Sequence, residues 1–303
     1  MAWTRRVLED CLGVGRDERL LVLTDPGMEG LARELFEAAR CDSSLMVVEP
    51  RERHGEEPPE PAAAAMRAAD AVVALTSWSI SHTRARERAC RAGARVASMP
   101  GATRETLERA VDVDYGDLRR RARELAERLT EAEEAVLITG DGARLRLDLS
   151  GREGIPDDGD LREPGSFGNL PAGEAFIAPV EGSAEGELVI DGSVAPDGRL
   201  DGPLRLRIRE GRIVDADGPG DLEFLRLVRE AEGGDVVCEL GVGVNPGAKL
   251  CGNPLEDEKA LGTVHVGFGD NSTFGGENTS EVHLDAVIVR HRLYLDGERV
   301  SPP

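Results

Sequence analysis

The sequence predicts an α/β protein in two parts. An N-terminal doubly wound parallel α/β domain spans residues 1–132, and a β-rich α+β metal-binding domain spans 133–303. Three observations lead there. Apolar runs of strand length alternate with amphipathic helical stretches as far as residue 132, which is the pattern of parallel βαβ units. Beyond 133 the texture changes to alternating residues around glycine-containing turns, the pattern of hairpins. Within this second part, acids and imidazoles sit inside otherwise apolar strands.

Residues 1–13 read as a short amphipathic helix carrying Trp3, Val7, Leu8 and Leu12. RLLVLTDPG (19–27) is an apolar strand ending in a turn, and 28–41 is a helix with Leu31, Leu35 and Ala38 on one face. SLMVVEP (44–50) is the next strand, followed by a polar loop at 51–61, the helical run AAAAMRAA and the buried strand DAVVALTS (70–77). A helix over 83–92, the strand ARVASMPG (94–101) and helices in RETLERAV and 117–132 complete this part. The second part opens with the hairpin EAVLITGDGARLRLDLSG, then a polar segment to Gly168. A hairpin in PLRLRIREGRIVDADG, a helix over 221–232, a strand and turn over 236–246 and the terminal hairpin RLYLDGERV follow.

Composition narrows the function. The chain has 303 residues, 40% of them hydrophobic but only 3% aromatic, so its cores rest on Leu, Val, Ile and Ala. A net charge of −21 opposes nonspecific binding to nucleic acid or to anionic membranes, both of which need clustered Lys and Arg. No apolar run approaches a membrane span, and the N-terminus does not read as a signal peptide. Five cysteines, an odd number with no Cys-x-x-Cys pair, fit a reduced cytoplasmic protein.

The first strand carries no Gly-x-Gly-x-x-Gly, so a dinucleotide role is not supported. Ligands of open parallel sheets gather at the carboxyl ends of strands. That rule selects Thr24-Asp25 and the run Thr76 to Thr83, which contains His82. The bland alternative there is a helix N-cap made by Ser81 or Thr83, with His82 incidental.

Between Gly262 and Arg290, apolar residues alternate around His265 and around the pair His283 and Asp285. Residues two apart on a strand share a face, so His283 and Asp285 project together. Glu174 sits in the apolar segment Pro171 to Phe176, and Glu239 in the apolar strand Cys238 to Gly243. A carboxylate in such a strand needs a partner, which is an arginine, a backbone amide or a metal. Three carboxylates and two imidazoles suit one or two ions of the Zn, Co, Mn or Fe type.

These runs resemble the thermophilic metalloaminopeptidase (aminopeptidase T) family. The matching stretches are Asn169 to Phe176, Glu239 to Gly243, Glu258-Lys259, Gly262 to His265 and His283 to Asp285. The resemblance implies that Glu174, Glu239, His265, His283 and Asp285 bind a dinuclear centre of two Zn, Co or Mn ions. It implies a hydrolase that removes N-terminal residues from short peptides through a metal-activated water, with Glu174 or Glu258 moving protons, in a homo-oligomer. Two features depart from it. The chain is shorter than the family's peptidases, and Ser272 stands where they carry a tyrosine.

A shorter branch of the superfamily, similar to 2,5-dihydroxypyridine dioxygenase, shares the loop Gly-Asp-Asn-x-x-Phe-Gly-Gly and the run Ser79 to Thr83. That resemblance implies one iron(II) held by His265, His283 and Asp285, with Glu174 outside the ligand set and His82 binding substrate or moving protons. The leading expectation is the aminopeptidase-like hydrolase, and the ring-cleaving dioxygenase is its alternative. A third reading is a metal-stabilised homologue without activity that binds a small molecule.

Overall fold

The computed structural model describes residues 2–300 apart from 54 and 141. Two compact units form, Met1–Tyr115 with Gly159–Ala172, and Gly116–Asp158 with Gly173–Pro303. The chain passes between units after residue 115, where the sequence placed the change after 132, and the segment 159–172 returns to the first unit. The helix Tyr115–Glu131 explains the first difference. Gly154 of the second unit lies against its backbone at Ala126 and its side chain at Leu129, and donates its N–H to Thr130 Oγ1 at 2.8 Å.

The first unit holds a parallel sheet in the order β2-β1-β3-β4-β8, with β1 Arg19–Thr24, β2 Asp42–Val47, β3 Ala71–Leu75, β4 Arg95–Ser98 and β8 Phe167–Asn169. β3 and β4 are buried along their whole length and β1 at all but its first residue. Near-continuous apolar runs are what a sheet covered on both faces requires. Alternate residues divide between the faces: Leu21, Leu23, Val72, Ala74 and Val96 join Ala62, Met66, Ala85 and Ala89 of two helices in one cluster. The helix Glu29–Ala38, with Ala32 and Leu35 buried, packs on β1 and β2.

At the carboxyl ends, Asp25 ties the first and third strands together. Its Oδ2 accepts from Ser77 N–H at 2.6 Å, and its Oδ1 from Ser77 Oγ at 2.9 Å and Gly27 N–H at 3.0 Å. Thr83, one of the two capping residues the sequence offered, caps the helix Arg84–Arg91 by accepting the N–H of Arg86 at 3.2 Å. β8 lies within the stretch that the sequence left as polar. Three residues with one apolar side chain carry no readable period, and the strand exists only because β4 offers it an edge. Arg86 stacks over Phe167 at 4.3 Å, and Ser81 Oγ donates to Asn169 Oδ1 at 3.0 Å, fixing the segment.

The second unit has two antiparallel sheets of seven strands. One runs β14-β13-β10-β6-β5-β18-β19 and uses β5 Glu134–Thr139, β6 Ala143–Asp148, β10 Glu185–Ile190, β13 Leu204–Arg209, β14 Arg212–Asp217, β18 His291–Leu295 and β19 Glu298–Val300. The three hairpins read from the sequence, β5–β6, β13–β14 and β18–β19, all lie here. The other runs β12-β11-β17-β16-β15-β9-β7, with β7 Ile155–Asp157, β9 Glu174–Ile177, β11 Ser193–Val194, β12 Gly198–Arg199, β15 Val237–Gly243, β16 Val264–Gly269 and β17 His283–Ile288. β15 and β16 are fully buried, so any polar side chain on them must find its partner inside the protein. No helix among the described residues is long and apolar enough to cross a membrane.

Candidate metal centre

The second sheet brings five of the sequence-selected residues onto adjacent strands. Glu174 starts β9, Glu239 lies on β15, His265 on β16, and His283 and Asp285 on β17. In the strand register each faces a glycine. Glu174 pairs with Gly243, His265 with Gly241, Glu239 and Asp285 with Gly267 from its two sides, and His283 with Gly269. Directly opposed side chains on neighbouring strands would otherwise fill the space between them. A Cβ on Gly241 would lie 2.0 Å from His265 Nε2, and one on Gly267 would lie 2.8 Å from Glu239 Cβ and 3.1 Å from Asp285 Oδ1. The alternating glycines of LGVG and VGFG thus leave the room that these acids and imidazoles occupy.

Glu239 is the centre of the set. Its Oε1 lies 3.0 Å from His265 Nε2, and its Oε2 lies 3.3 Å from His283 Nε2. Glu174 Oε2 is 3.4 Å from His265 Nε2, and Asp285 Oδ1 is 3.5 Å from His283 Nε2. Two groups of three potential ligands result, Glu174–Glu239–His265 and Glu239–His283–Asp285, sharing Glu239. His265 is 1% exposed and Glu239 6%, so the charges have no bulk water to balance them.

The hydrogen bonds fit a cation among these residues. His283 Nδ1 lies 2.7 Å from the carbonyl oxygen of Asp270. A carbonyl only accepts, so Nδ1 carries a proton, and in the neutral ring Nε2 then points its lone pair at two carboxylates. Such an arrangement is repulsive unless a metal ion or a proton lies between, and a backbone carbonyl behind the ring is the usual support of a metal-binding histidine. Glu174 Oε2 and Asp285 Oδ1 are buried with no hydrogen-bond partner, as atoms reserved for a ligand would be. Without a metal, protons take the cation's place. Burial works against charge on His265, but the charge of Glu174 and the hydrogen bond to Glu239 outweigh it and push the ring up to about 10. Burial would raise Asp285, yet the charge and hydrogen bond of His283 hold it well below the ordinary range.

Beyond Glu174 lies a buried ammonium. Lys259, 3% exposed, bonds Glu174 Oε1, lies 2.9 Å from Glu258 Oε1 and 3.3 Å from Asp157 Oδ2. Burial raises Glu258 well above its usual range and pushes Asp157 up to about 7, with Lys259 opposing both. Glu258, selected from the sequence, therefore belongs to the surroundings of Lys259. Asp157 was not selected. It reaches Lys259 because β7 pairs with β9 so that Asp157 faces Glu174, and one acid within the acidic run Asp157-Asp158-Gly159-Asp160 gives no signal of that pairing. His82 belongs to the first unit, where it is exposed on the turn ending at the Thr83 cap.

The loop after β16 closes on the imidazoles. Phe274 meets His283 edge-to-face with centroids 5.7 Å apart and meets Phe176 at 5.4 Å. Asn271 anchors the loop by donating from Nδ2 to Glu181 Oε1 at 3.0 Å and to the carbonyl of Cys238 at 3.3 Å. Ser272, at the position of the aminopeptidases' tyrosine, is exposed and donates from Oγ to Asp270 Oδ1 at 3.0 Å. It serves as a turn residue and offers no phenol to stabilise an oxyanion.

An α/β chain with a two-histidine, three-carboxylate cluster on an antiparallel sheet, three of its members buried and two half-buried, presents the donor set of a metal-binding enzyme. The sequence profile of the 2,5-dihydroxypyridine 5,6-dioxygenase family matches residues 2–301, and the chain belongs to that family. The 2,5-dihydroxypyridine 5,6-dioxygenase of Pseudomonas putida KT2440 is 26% identical over 251 residues, covering 78% of this chain and 70% of that protein. The solved structure of the dihydroxypyridine dioxygenase from Pseudomonas putida KT2440 superposes with a TM-score of 0.80 at 22% identity, covering 99% of this chain and 97% of that one. Wild-type AmpT from Thermus thermophilus superposes with a TM-score of 0.72 at 18% identity, covering 99% and 96%. At these identities the two superpositions show a shared fold. The leading expectation from the sequence, an aminopeptidase-like hydrolase, is thereby corrected: the family supports its dioxygenase alternative, and the likeness to AmpT is one of architecture.

Proposed function

We propose that this chain is a ring-cleaving dioxygenase acting on a dihydroxylated pyridine or a closely related dihydroxylated ring, with a single iron(II). The observation that carries the reading is the set of two imidazoles and a carboxylate, each facing a glycine, in a chain whose whole described length matches the dioxygenase family. His265, His283 and Asp285 would hold the ion, with Glu239 between the two imidazoles. Two histidines and one carboxylate leave positions open, and iron(II) there would supply the redox chemistry that joins dioxygen to an electron-rich ring.

The chain's own residues prepare that reaction. The Asp270 carbonyl fixes the His283 tautomer, so Nε2 keeps its lone pair for the ion. Phe274 and Phe176 offer an apolar aromatic wall beside His283 against which a planar ring packs. Glu174 Oε2, without a hydrogen-bond partner, accepts a proton from a substrate hydroxyl. The apolar side chains of β15 and β16 keep bulk water from the site. In the overall reaction one ring bond breaks and both atoms of dioxygen enter the product.

Oxygen uptake is the test. The chain is loaded anaerobically with iron(II) and given 2,5-dihydroxypyridine or hydroquinone in an oxygen-electrode cell, with ring absorbance followed in parallel. One dioxygen consumed per ring lost, and none with zinc in place of iron, is expected. No uptake with either ring, together with amino-acid release from a peptide panel by the zinc, cobalt or manganese form, would return the chain to the hydrolase reading.

A further inference from the structure

Phe274 is carried on the tip of a loop that lies outside both sheets. Asn271, fully buried, closes this loop on itself. Its carbonyl accepts the N–H of Phe274 at 3.2 Å and of Gly276 at 3.0 Å, and its Oδ1 accepts the N–H of Asn278 at 2.9 Å. A Cβ on Gly276 would lie 1.9 Å from Asn271 Cγ, so the turn has no slack. One flank of the block docks near the start of β15, where Asn278 Nδ2 donates to the Gly233 carbonyl at 2.9 Å and Asn271 Nδ2 to that of Cys238 at 3.3 Å. The flank that follows Phe274 is held differently.

We propose that Glu181 and Arg152 form a clamp that sets the position of Phe274 against His283 and Phe176, and through that ring decides how tightly the substrate ring is held. The inference rests on the ring-cleaving reading for its ligand. Glu181 lies in the connection after β9, on the same segment as Phe176, and Arg152 in the turn after β6. Glu181 Oε1 accepts the N–H of Glu277 at 2.7 Å and Asn271 Nδ2 at 3.0 Å. Its Oε2 pairs with Arg152 Nη2, and Arg152 Nη1 donates to the carbonyl of Gly275. The backbone is thus fastened just beyond Phe274, at two residues that are themselves exposed, by a half-buried ion pair. Burial raises the Glu181 carboxyl, but the donors around it hold it below its usual range, so the clamp keeps its charge through neutral pH.

An aromatic wall acts only at contact distance. A gap of about 0.5–1 Å forfeits roughly a quarter to a half of the attraction between facing atoms. A tip released from Glu181 and Arg152 keeps its closure on Asn271 and its dock near β15, yet no longer has its distance to Phe176 and His283 fixed. Both residues are positioning residues, and their effect passes through Phe274.

The anaerobic cobalt(II) form is titrated with 2,5-dihydroxypyridine, and its visible bands give a Kd without turnover. Phe274→Ala should weaken binding about tenfold, and Glu181→Ala or Arg152→Met about fivefold each. Glu181→Gln, whose Oε1 still accepts from Glu277 and Asn271 but whose amide repels Arg152, should lose about threefold. Adding Glu181→Ala to Phe274→Ala should cost nothing further, whereas a merely structural role would multiply the two losses. Folded Glu181→Ala and Arg152→Met chains that bind as tightly as wild type, or a double variant with multiplied losses, would overturn the proposal. If neither of those two variants folds, Glu181→Gln decides, since a weakened Kd supports the clamp and a wild-type Kd refutes it. A wild-type chain that does not bind the ring would fault the substrate proposed above. The clamp is then read from amide exchange of residues 274–277, which Glu181→Ala or Glu181→Gln should speed at least tenfold, and unchanged exchange refutes it.

Discussion

Replacing Gly241 by alanine tests the packing around His265 directly. Built on the present backbone, the new methyl carbon lies 2.0 Å from His265 Nε2, 2.1 Å from Cε1 and 2.9 Å from Cδ2. Non-bonded heavy atoms settle at about 3.5–4.0 Å, so the imidazole must retreat by roughly 1.5 Å. A metal–nitrogen bond of about 2.0–2.1 Å allows a departure of only about 0.2 Å, so the ligand is lost. We expect metal affinity to fall ~100-fold or more, about 2.7 kcal/mol. Crowding a fully buried strand takes about 1–3 kcal/mol from the metal-free fold as well. Zinc competition against a chromophoric chelator measures the first effect, and melting in EDTA measures the second. Gly30→Ala is the control, because nothing lies within 4 Å of its added carbon and its helix gains about 1 kcal/mol or less. A folded Gly241→Ala protein that binds zinc as tightly as wild type would refute the assignment of His265 as a ligand.

Two further outcomes follow from the charges. In the metal-free chain His265 is pushed up to about 10, so at pH 8 it holds a proton that a metal must displace. His283 is raised well above its ordinary value too, so zinc affinity should rise at least tenfold per pH unit between pH 7 and 9, and calorimetry in buffers of different ionisation enthalpy should register the released protons. The same shift is a raised folded value. It therefore stabilises the metal-free fold fully below the ring's unfolded value near ~6.5 and ceases as pH passes about 10. Asp191 shows the opposite sign. It accepts from Val289 N–H at 2.8 Å and Arg290 Nε at 2.7 Å just beyond β17, and although burial raises it, these bonds hold its carboxyl below the usual range. Asp191→Ala should cost about 2 kcal/mol near neutrality. That difference should persist down to pH ~4 and shrink as the pH falls through the lowered folded value, read from urea melts across the acid range.

Much of this protein is legible in its sequence. The apolar runs of β1, β3 and β4 and the hairpins of the second unit declare themselves through period and turn residues, because burial on one or two faces imposes those patterns residue by residue. The five acids and imidazoles announce themselves as polar residues inside apolar strands, where each needs a partner. The tertiary structure alone decides what each of them faces. Strand register sets Gly241 against His265 and Gly267 against Asp285, and it carries Asp157 to Glu174 and so to Lys259. β8 likewise exists through the edge of β4 and has no period of its own. The physical reason is common to all of these. A side chain's burial is written along the chain, whereas its opposite number is chosen by hydrogen-bond pairing between strands far apart in sequence.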